Sequence, residues 1–289
     1  MRLSGLLLLA LPAPFAWAAT VTPPATVAAV QAPAWLERDG QRQPLAVGMD
    51  IRDGDRLLTG NGARAYLQLA DGSLVKLGED ARLGFFSRSL APRTYFRGAL
   101  DVLAGAFRYT TGVLRHVRGR DLSIRVGAAT AGIRGTDLWG KSTSEKDIIC
   151  LIDGHIQVAH GGQTYDMPQP MSFFVAPRDK PPQPVAPVAP SQLAKWALET
   201  DIEAGAGGAV KGGKWKLKAG HAANEAEALE IYDKLRQGGF DARVHPLAGD
   251  KEGSWSYDLL VRGFPTEADA AAAVARLKAK TGLEASPLR

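Results

Sequence analysis

Residues 215–242 read WKLKAGHAANEAEALEIYDKLRQGGFDA, and residues 257–285 read YDLLVRGFPTEADAAAAVARLKAKTGLEA. The two segments share one plan. Trp215 to Ala219 alternates as a half-buried strand, and Tyr257 to Val261 does the same. Asn224 then stands as a helix cap, with Glu227 three residues later in the manner of a capping box; Thr266 and Asp269 open the second helix. From each cap the next apolar markers fall four and then seven residues on, at Ala228 and Leu235 and again at Ala270 and Leu277. Ala228, Ile231, Tyr232 and Leu235 form one apolar stripe. Gly238-Gly239 and Gly282 end the helices, and Phe240 to His245 and Leu283 to Leu288 return as strands. The pattern predicts βαββαβ over 214–289, a four-stranded antiparallel sheet with two helices on one face. The period of two then places Lys216, Lys218, Arg243, His245, Asp258, Leu260 and Arg262 on the open face.

Upstream, residues 33–176 carry strand and turn signals and no long amphipathic helix. Asp71-Gly72 separates two alternating runs, a strong hairpin signal, and Asp153-Gly154 repeats the device. His160-Gly161-Gly162-Gln163 makes a further turn. The expectation is an all-β domain, a sandwich or a rolled sheet. Residues 177–213 read as a linker: Pro181 to Pro190 as a stiff extended spacer, and Gly205 to Gly213 as a flexible one. Between them Ser191 is expected to cap a short helix through Glu203, with Trp196 folded back on a neighbouring domain.

The start of the chain sets the expected compartment. Arg2, the apolar run Leu3 to Leu11 and Ala16-Trp17-Ala18 form the pattern of a cleavable signal peptide over 1–18. The run is shorter than the roughly 20 residues that span a bilayer. No cysteine follows the cleavage region, and no later segment is apolar enough to cross a membrane. The expectation is a periplasmic protein without a transmembrane segment in the mature chain. Cys150, the one cysteine, lies in the apolar run Ile148 to Ile152 and reads as a buried core residue.

The net charge is +5, and Arg82 to Arg134 holds ten arginines, no lysine and only Asp101 and Asp121 as acids. Export argues against nucleic acid as the partner. An acidic envelope protein on this segment is the functional expectation, and a solvated β face the plain one. For catalysis there is little. Asp53 and Asp55 flank Gly54 as turn residues, and His155 and His160 are a poor metal pair without further ligands. Gly105 and Gly127 lie outside any phosphate loop. No catalytic residue, metal site or cofactor is expected, and the chain reads as a binding protein, not an enzyme.

Two resemblances add to this reading. Gly48-Met49-Asp50-Ile51, Asp53 to Gly60, Asn61 to Ser73, Ala131 to Asp137 and Asp153-Gly154 together resemble a FecR domain over about 45–160. Its best-known members pass a signal through the inner membrane, which needs a transmembrane helix, so that role is not carried over. Trp215 to Gly220, the capped helix, Gly239-Phe240-Asp241-Ala242 and Tyr257 to Phe264 resemble a SPOR domain. The resemblance implies binding to peptidoglycan, to glycan strands stripped of stem peptides at the division septum, with Lys216, Lys218, His221, Arg243, Leu260 and Arg262 as candidate contacts. The chain departs from the family at Lys218, usually glutamine, at Leu260, usually basic, at Arg262-Gly263, usually glycine-proline, and after Gly220, where an aromatic is usual. Two functions follow: a cell-wall binding protein that reads glycan, or an interaction and signalling adaptor of envelope proteins without glycan binding.

Overall fold

The computed structural model describes residues 22–88, 95–112, 119–133, 135–249 and 253–289. The expected signal peptide, 1–18, lies outside the described residues.

The first domain is built on one long strand, Tyr95–Thr110, that belongs to two sheets. Its first part pairs with Arg82–Ser87 and, in parallel, with Gly119–Val126. From that centre the second sheet runs outward through Arg56–Thr59 and Ala34–Arg38 to Gln41–Pro44 on one side. On the other it runs through Ala129–Ile133 and Ile156–His160 to Gln163–Met167. The last part of the long strand lies between Leu74–Leu77 and Asp137–Ser142 in the other sheet. That sheet continues through Arg64–Leu69 and Ala25–Gln31 on one side, and through Lys146–Asp153 and Ser172–Pro177 on the other. The apolar faces meet over a core that includes Phe85, Phe96, Phe107, Tyr109 and Phe174. The strand changes sheets at Gly105: Ala104 still pairs with Arg82, and Gly105 already pairs with Ser142. Gly105 has φ of 80°, and a Cβ there would stand 2.5 Å from Ala81 Cα. Only glycine fits a bend that is both left-handed and this tight.

The turn signals met two outcomes. Asp71-Gly72 joins the hairpin of Arg64–Leu69 and Leu74–Leu77, with Gly72 at φ 85°. Asp153-Gly154, expected to do the same, does not. Lys146–Asp153 pairs in one sheet and Ile156–His160 in the other, so the dipeptide turns a corner between sheets. A Cβ on Gly154 would lie 2.6 Å from the Gly135 carbonyl oxygen, which is a close backbone approach and not a hairpin requirement.

The expected linker is also packed differently. Gln183–Pro187 is an edge strand on Ser172–Pro177, and Ala209–Val210 pairs with Ala29 and Val30 at the opposite edge. Proline is tolerated there because an edge strand has a row of N–H groups that the ladder does not need. Helix α1, Pro190–Thr200, has Ala189 as N-cap without a side-chain cap, and Pro190 takes the first turn. Ser191 therefore lies inside the helix, and Asp201 to Glu203 lie beyond it. Trp196 does fold back: its ring stacks on Trp139 at 4.6 Å with planes 5° apart. Lys141–Glu199 at 2.7 Å and Lys76–Asp201 at 2.6 Å pin both sides of the helix end. Cys150 is buried in this aromatic layer, and burial, with Asp137 nearby, pushes its thiol up to about 12.

The second domain is βαββαβ. Trp215–Ala222, Ala242–Ala248, Trp255–Phe264 and Ser286–Leu288 form an antiparallel sheet. Helices α2, Glu225–Gln237, and α3, Glu267–Thr281, cover one face. Asn224 accepts a hydrogen bond from the Glu227 N–H and Thr266 from the Asp269 N–H, so both predicted caps form. The domain is seated on the first. Ala34 N–H donates to the Gly239 carbonyl at 3.2 Å, and a Gly239 Cβ would stand 2.7 Å from the Trp35 ring. Arg276 Nη1 donates to the Gly62 carbonyl at 2.6 Å.

Gly105→Ala should destabilise the first domain by about 2 kcal/mol or more, from the left-handed φ together with the clash. Gly132→Ala, in a strand with open space around it, is the control and should change little. Denaturant unfolding followed by tryptophan fluorescence measures both; equal midpoints for the two variants would refute the bend as a constraint.

Candidate functional site

The sheet of the second domain packs its helices on one face, and no described helix covers the other. Register assigns the open face. Lys216 pairs with Arg262 and with Leu288; Lys218 pairs with Leu260 and with Ser286; His221 pairs with Asp258. On the far side Arg243 pairs with Leu260 and His245 with Asp258. A register shift between Lys218 and Gly220 is decisive. It turns both Ala219, fully buried, and Gly220 toward the helices, where a Cβ on Gly220 would meet Ile231 Cγ2 at 2.9 Å. The bulge restores His221 to the same face as Lys216 and Lys218, although it is an odd number of residues away.

The candidate contacts differ in what they have free. Lys218 Nζ lies 2.7 Å from Asp258 Oδ1, and His221 Nδ1 lies 2.7 Å from the same oxygen. Burial works to raise the Asp258 carboxyl, but the hydrogen bonds from Lys218 and His221 outweigh it and hold the group below its usual range. Asp258 thus clamps two of the expected contacts together. Leu260 is only 5% exposed, between the long side chains of Lys218 and Arg243, so it fills the face and does not present itself. Arg243 reaches Asp241 loosely, at 3.6 Å, and burial raises the Asp241 carboxyl against the opposing pull of Arg243. Lys216 and Arg262 make no ion pair among the described residues, and Arg262 is exposed. The sequence reading put Asp258 on this face without seeing its role. Its role depends on the register across the bulge, which sets Asp258 opposite His221 and two positions along from the partner of Lys218.

Elsewhere several of the described charges are paired. Arg97 pairs with Asp121, Arg108 with Asp137, Arg120 with Asp71 and Arg125 with Asp101. Asp71 is fully buried and also accepts from Ser73 N–H, so Arg120 is part of the hairpin's structure. Among the described arginines of the run, Arg82 and Arg88 are left without an ion pair; Arg93, Arg115, Arg118 and Arg134 lie outside the described residues. Asp55 is buried under a bidentate Arg38, and Asp53 accepts from Ser87 N–H, so both serve the turn. His155 is held by Asp166 at 2.7 Å, while the His160 ring lies 6.0 Å from that of Phe174. No group of three or more potential metal ligands occurs among the described residues. No helix among them is long and apolar enough to cross a membrane.

Residues 55–157 match the family model described as FecR protein, and residues 211–289 match that of the SPOR domain. Among solved structures, two crystal structures of a candidate anti-sigma factor from Parabacteroides distasonis ATCC 8503 align at 13% identity and a TM-score of 0.40. They cover 78% of this chain and 91% and 92% of theirs. A search among curated proteins finds no match. FecR and SPOR domains are binding and signalling modules without catalytic activity of their own. This chain therefore carries a FecR domain followed by a C-terminal SPOR domain.

Proposed function

We propose that the protein is a periplasmic cell-wall binding protein whose SPOR domain holds peptidoglycan glycan strands on its open sheet face, at stripped strands of the division septum, while the FecR domain presents a second surface to an envelope partner. The observation that carries this reading is the pair Lys216 and Arg262, directly opposite one another on a helix-free face and without an ion pair among the described residues. Side chains of this kind donate several hydrogen bonds to sugar hydroxyls and acetamido carbonyls. Each bond contributes modestly, ~0.5–1.5 kcal/mol net, which suits a weak site repeated along a polymer. The SPOR family match supports peptidoglycan as the ligand. The apolar start of the chain supports export.

A second reading is an adaptor that binds envelope proteins and not glycan. What favours it is the clamp: Lys218, where the family usually has glutamine, is held by Asp258 and is not free to meet a sugar.

Two measurements separate these. Replacing Lys216 and Arg262 together with alanine should leave the fold intact and lower retention on amidase-treated sacculi by about threefold to tenfold, the loss of one or two such bonds. Retention equal to wild type would support the adaptor. The clamp itself is tested by Lys218→Ala. A carboxyl held below its usual value stabilises the folded state above pH 3.8, and that contribution is lost as pH falls through the depressed value. With one hydrogen bond removed and burial unchanged, carbon-13 NMR titration should show the Asp258 midpoint move upward. An unchanged midpoint would mean that Lys218 is free in solution.

A further inference from the structure

The outer face of the FecR domain's second sheet carries a cleft of about 300 Å³, lined by Arg42, Arg56 and Arg82 together with Leu58 and Leu103. Register puts them there. Arg56 stands opposite Glu37 on one side and Gly84 on the other, and Leu58 stands opposite Arg82. Leu103 is the extra residue of a bulge: Val102 pairs with Leu83 and Ala104 with Arg82, and Leu103 is left between them. A bulge of this kind re-aims a side chain. Leu103 is 51% exposed, beside a fully buried Val102.

The arginines are not neutralised within the chain. None of Arg42, Arg56 and Arg82 forms an ion pair among the described residues, although Glu37, the one acid of the lining, stands opposite both Arg42 and Arg56. Asp101, two strands along the row from Arg56, is taken by Arg125. Arg42 is held over the Trp35 ring, 4.1 Å from its centre. Three cations around an exposed leucine are complementary to an occupant that sets an apolar side chain between acids.

The chain itself presents such an occupant. On helix α2, Glu225, Leu229 and Asp233 recur every four residues along one exposed face, and Leu229 is 51% exposed. Neither acid forms an ion pair among the described residues. Glu225 and Asp233 lie about 12 Å apart along the helix axis. Arg42 and Arg82 lie three strand spacings apart, about 14 Å. A helix laid across these strands brings an acid to the arginine at each end and Leu229 between them, over Leu58 and Leu103. No residue of α2 lines the cleft of its own chain. Asp233 borders instead a neighbouring cleft with Trp35 and Arg42. The acid stripe and the arginine cleft therefore lie side by side, with Arg42 between them.

We propose that this surface is self-complementary, and that two copies of the chain pair about a two-fold axis, with α2 of each seated on the arginine cleft of the other. A surface that carries both halves of a contact can meet a copy of itself, make both contacts at once and close. The proposal goes beyond the glycan reading and does not rest on it: loss of sacculus retention leaves it standing.

Sedimentation velocity on the full chain tests it. Wild type should dimerise, and the dimer should weaken as salt rises, because exposed charge pairs are screened over a Debye length of about 10 Å at 0.1 M. Arg56→Glu with Arg82→Glu reverses the cleft, and Glu225→Arg with Asp233→Arg reverses the stripe. All four side chains are exposed, so circular dichroism should show the fold unchanged. A two-fold axis places each substitution at both contacts, so a tenfold loss per contact becomes about a hundredfold rise in the dissociation constant. Leu103→Asp, which puts a carboxylate into the cleft with every arginine kept, should weaken the dimer as well. Mixing the two double variants faces opposite charges across both contacts again, so the mixture should dimerise where each variant alone is monomeric. Three results overturn the proposal. A wild type that stays monomeric at about 0.1 mM leaves the cleft to some other acidic chain. A dimer that both double variants retain uses another interface. A mixture as dissociated as its two components shows that stripe and cleft do not meet.

Discussion

A strand that serves two sheets must bend without leaving a gap in either ladder. In this protein that demand falls on Gly105, where a side chain would strike the Ala81 backbone. Everything in the FecR domain is arranged on the two halves of Tyr95–Thr110: the core is the space between the two sheets that the strand joins, and Phe96 and Phe107 enter it from the two halves. The outer strands add area, but the angle between the layers is set at the bend. Sheet edges are then closed by late segments of chain, Gln183–Pro187 at one side and Ala209–Val210 at another. Closing edges in this way removes unpaired strand surface that would otherwise invite other chains.

The second domain was largely legible because its signals are local. Caps, stripe and alternation all act within about fifteen residues, and Asn224, Thr266 and Gly282 each do in the structure what their chemistry suggests. The first domain was legible in class but not in pairing. Asp-Gly reports that the chain turns; it does not report which strand waits on the other side, and at Asp153-Gly154 the partner lies in the other sheet. The proline-rich stretch is extended as composition implies. Composition is silent on whether an extended segment lies in water or along an edge, since neither setting asks the proline nitrogen to donate a hydrogen bond.

The candidate face shows a similar division. Alternation correctly placed Lys216, Lys218 and Arg262 together. It could not supply the bulge that brings His221 beside them, nor the short-range competition by which Asp258 takes up Lys218 and His221. Charge counting on the FecR domain is silent on pairing in the same manner. Of the described arginines of the run, four are each held by one acid, Asp71, Asp101, Asp121 or Asp137, two of these acids lying outside the run. Ion pairs across strands depend on register, and register is a long-range property.

The pairing of Ala29 and Val30 with Val210 and Ala209 joins segments about 180 residues apart. Its consequence is kinetic. Contacts of such separation form late, because the loop between them must be closed before they return any free energy. The strand Ala25–Gln31 waits for a segment made after the whole FecR domain, and that segment also lies against the SPOR domain. Completion of the first domain and seating of the second are thus coupled in time, so an incomplete chain exposes a strand edge until its own C-terminal third arrives.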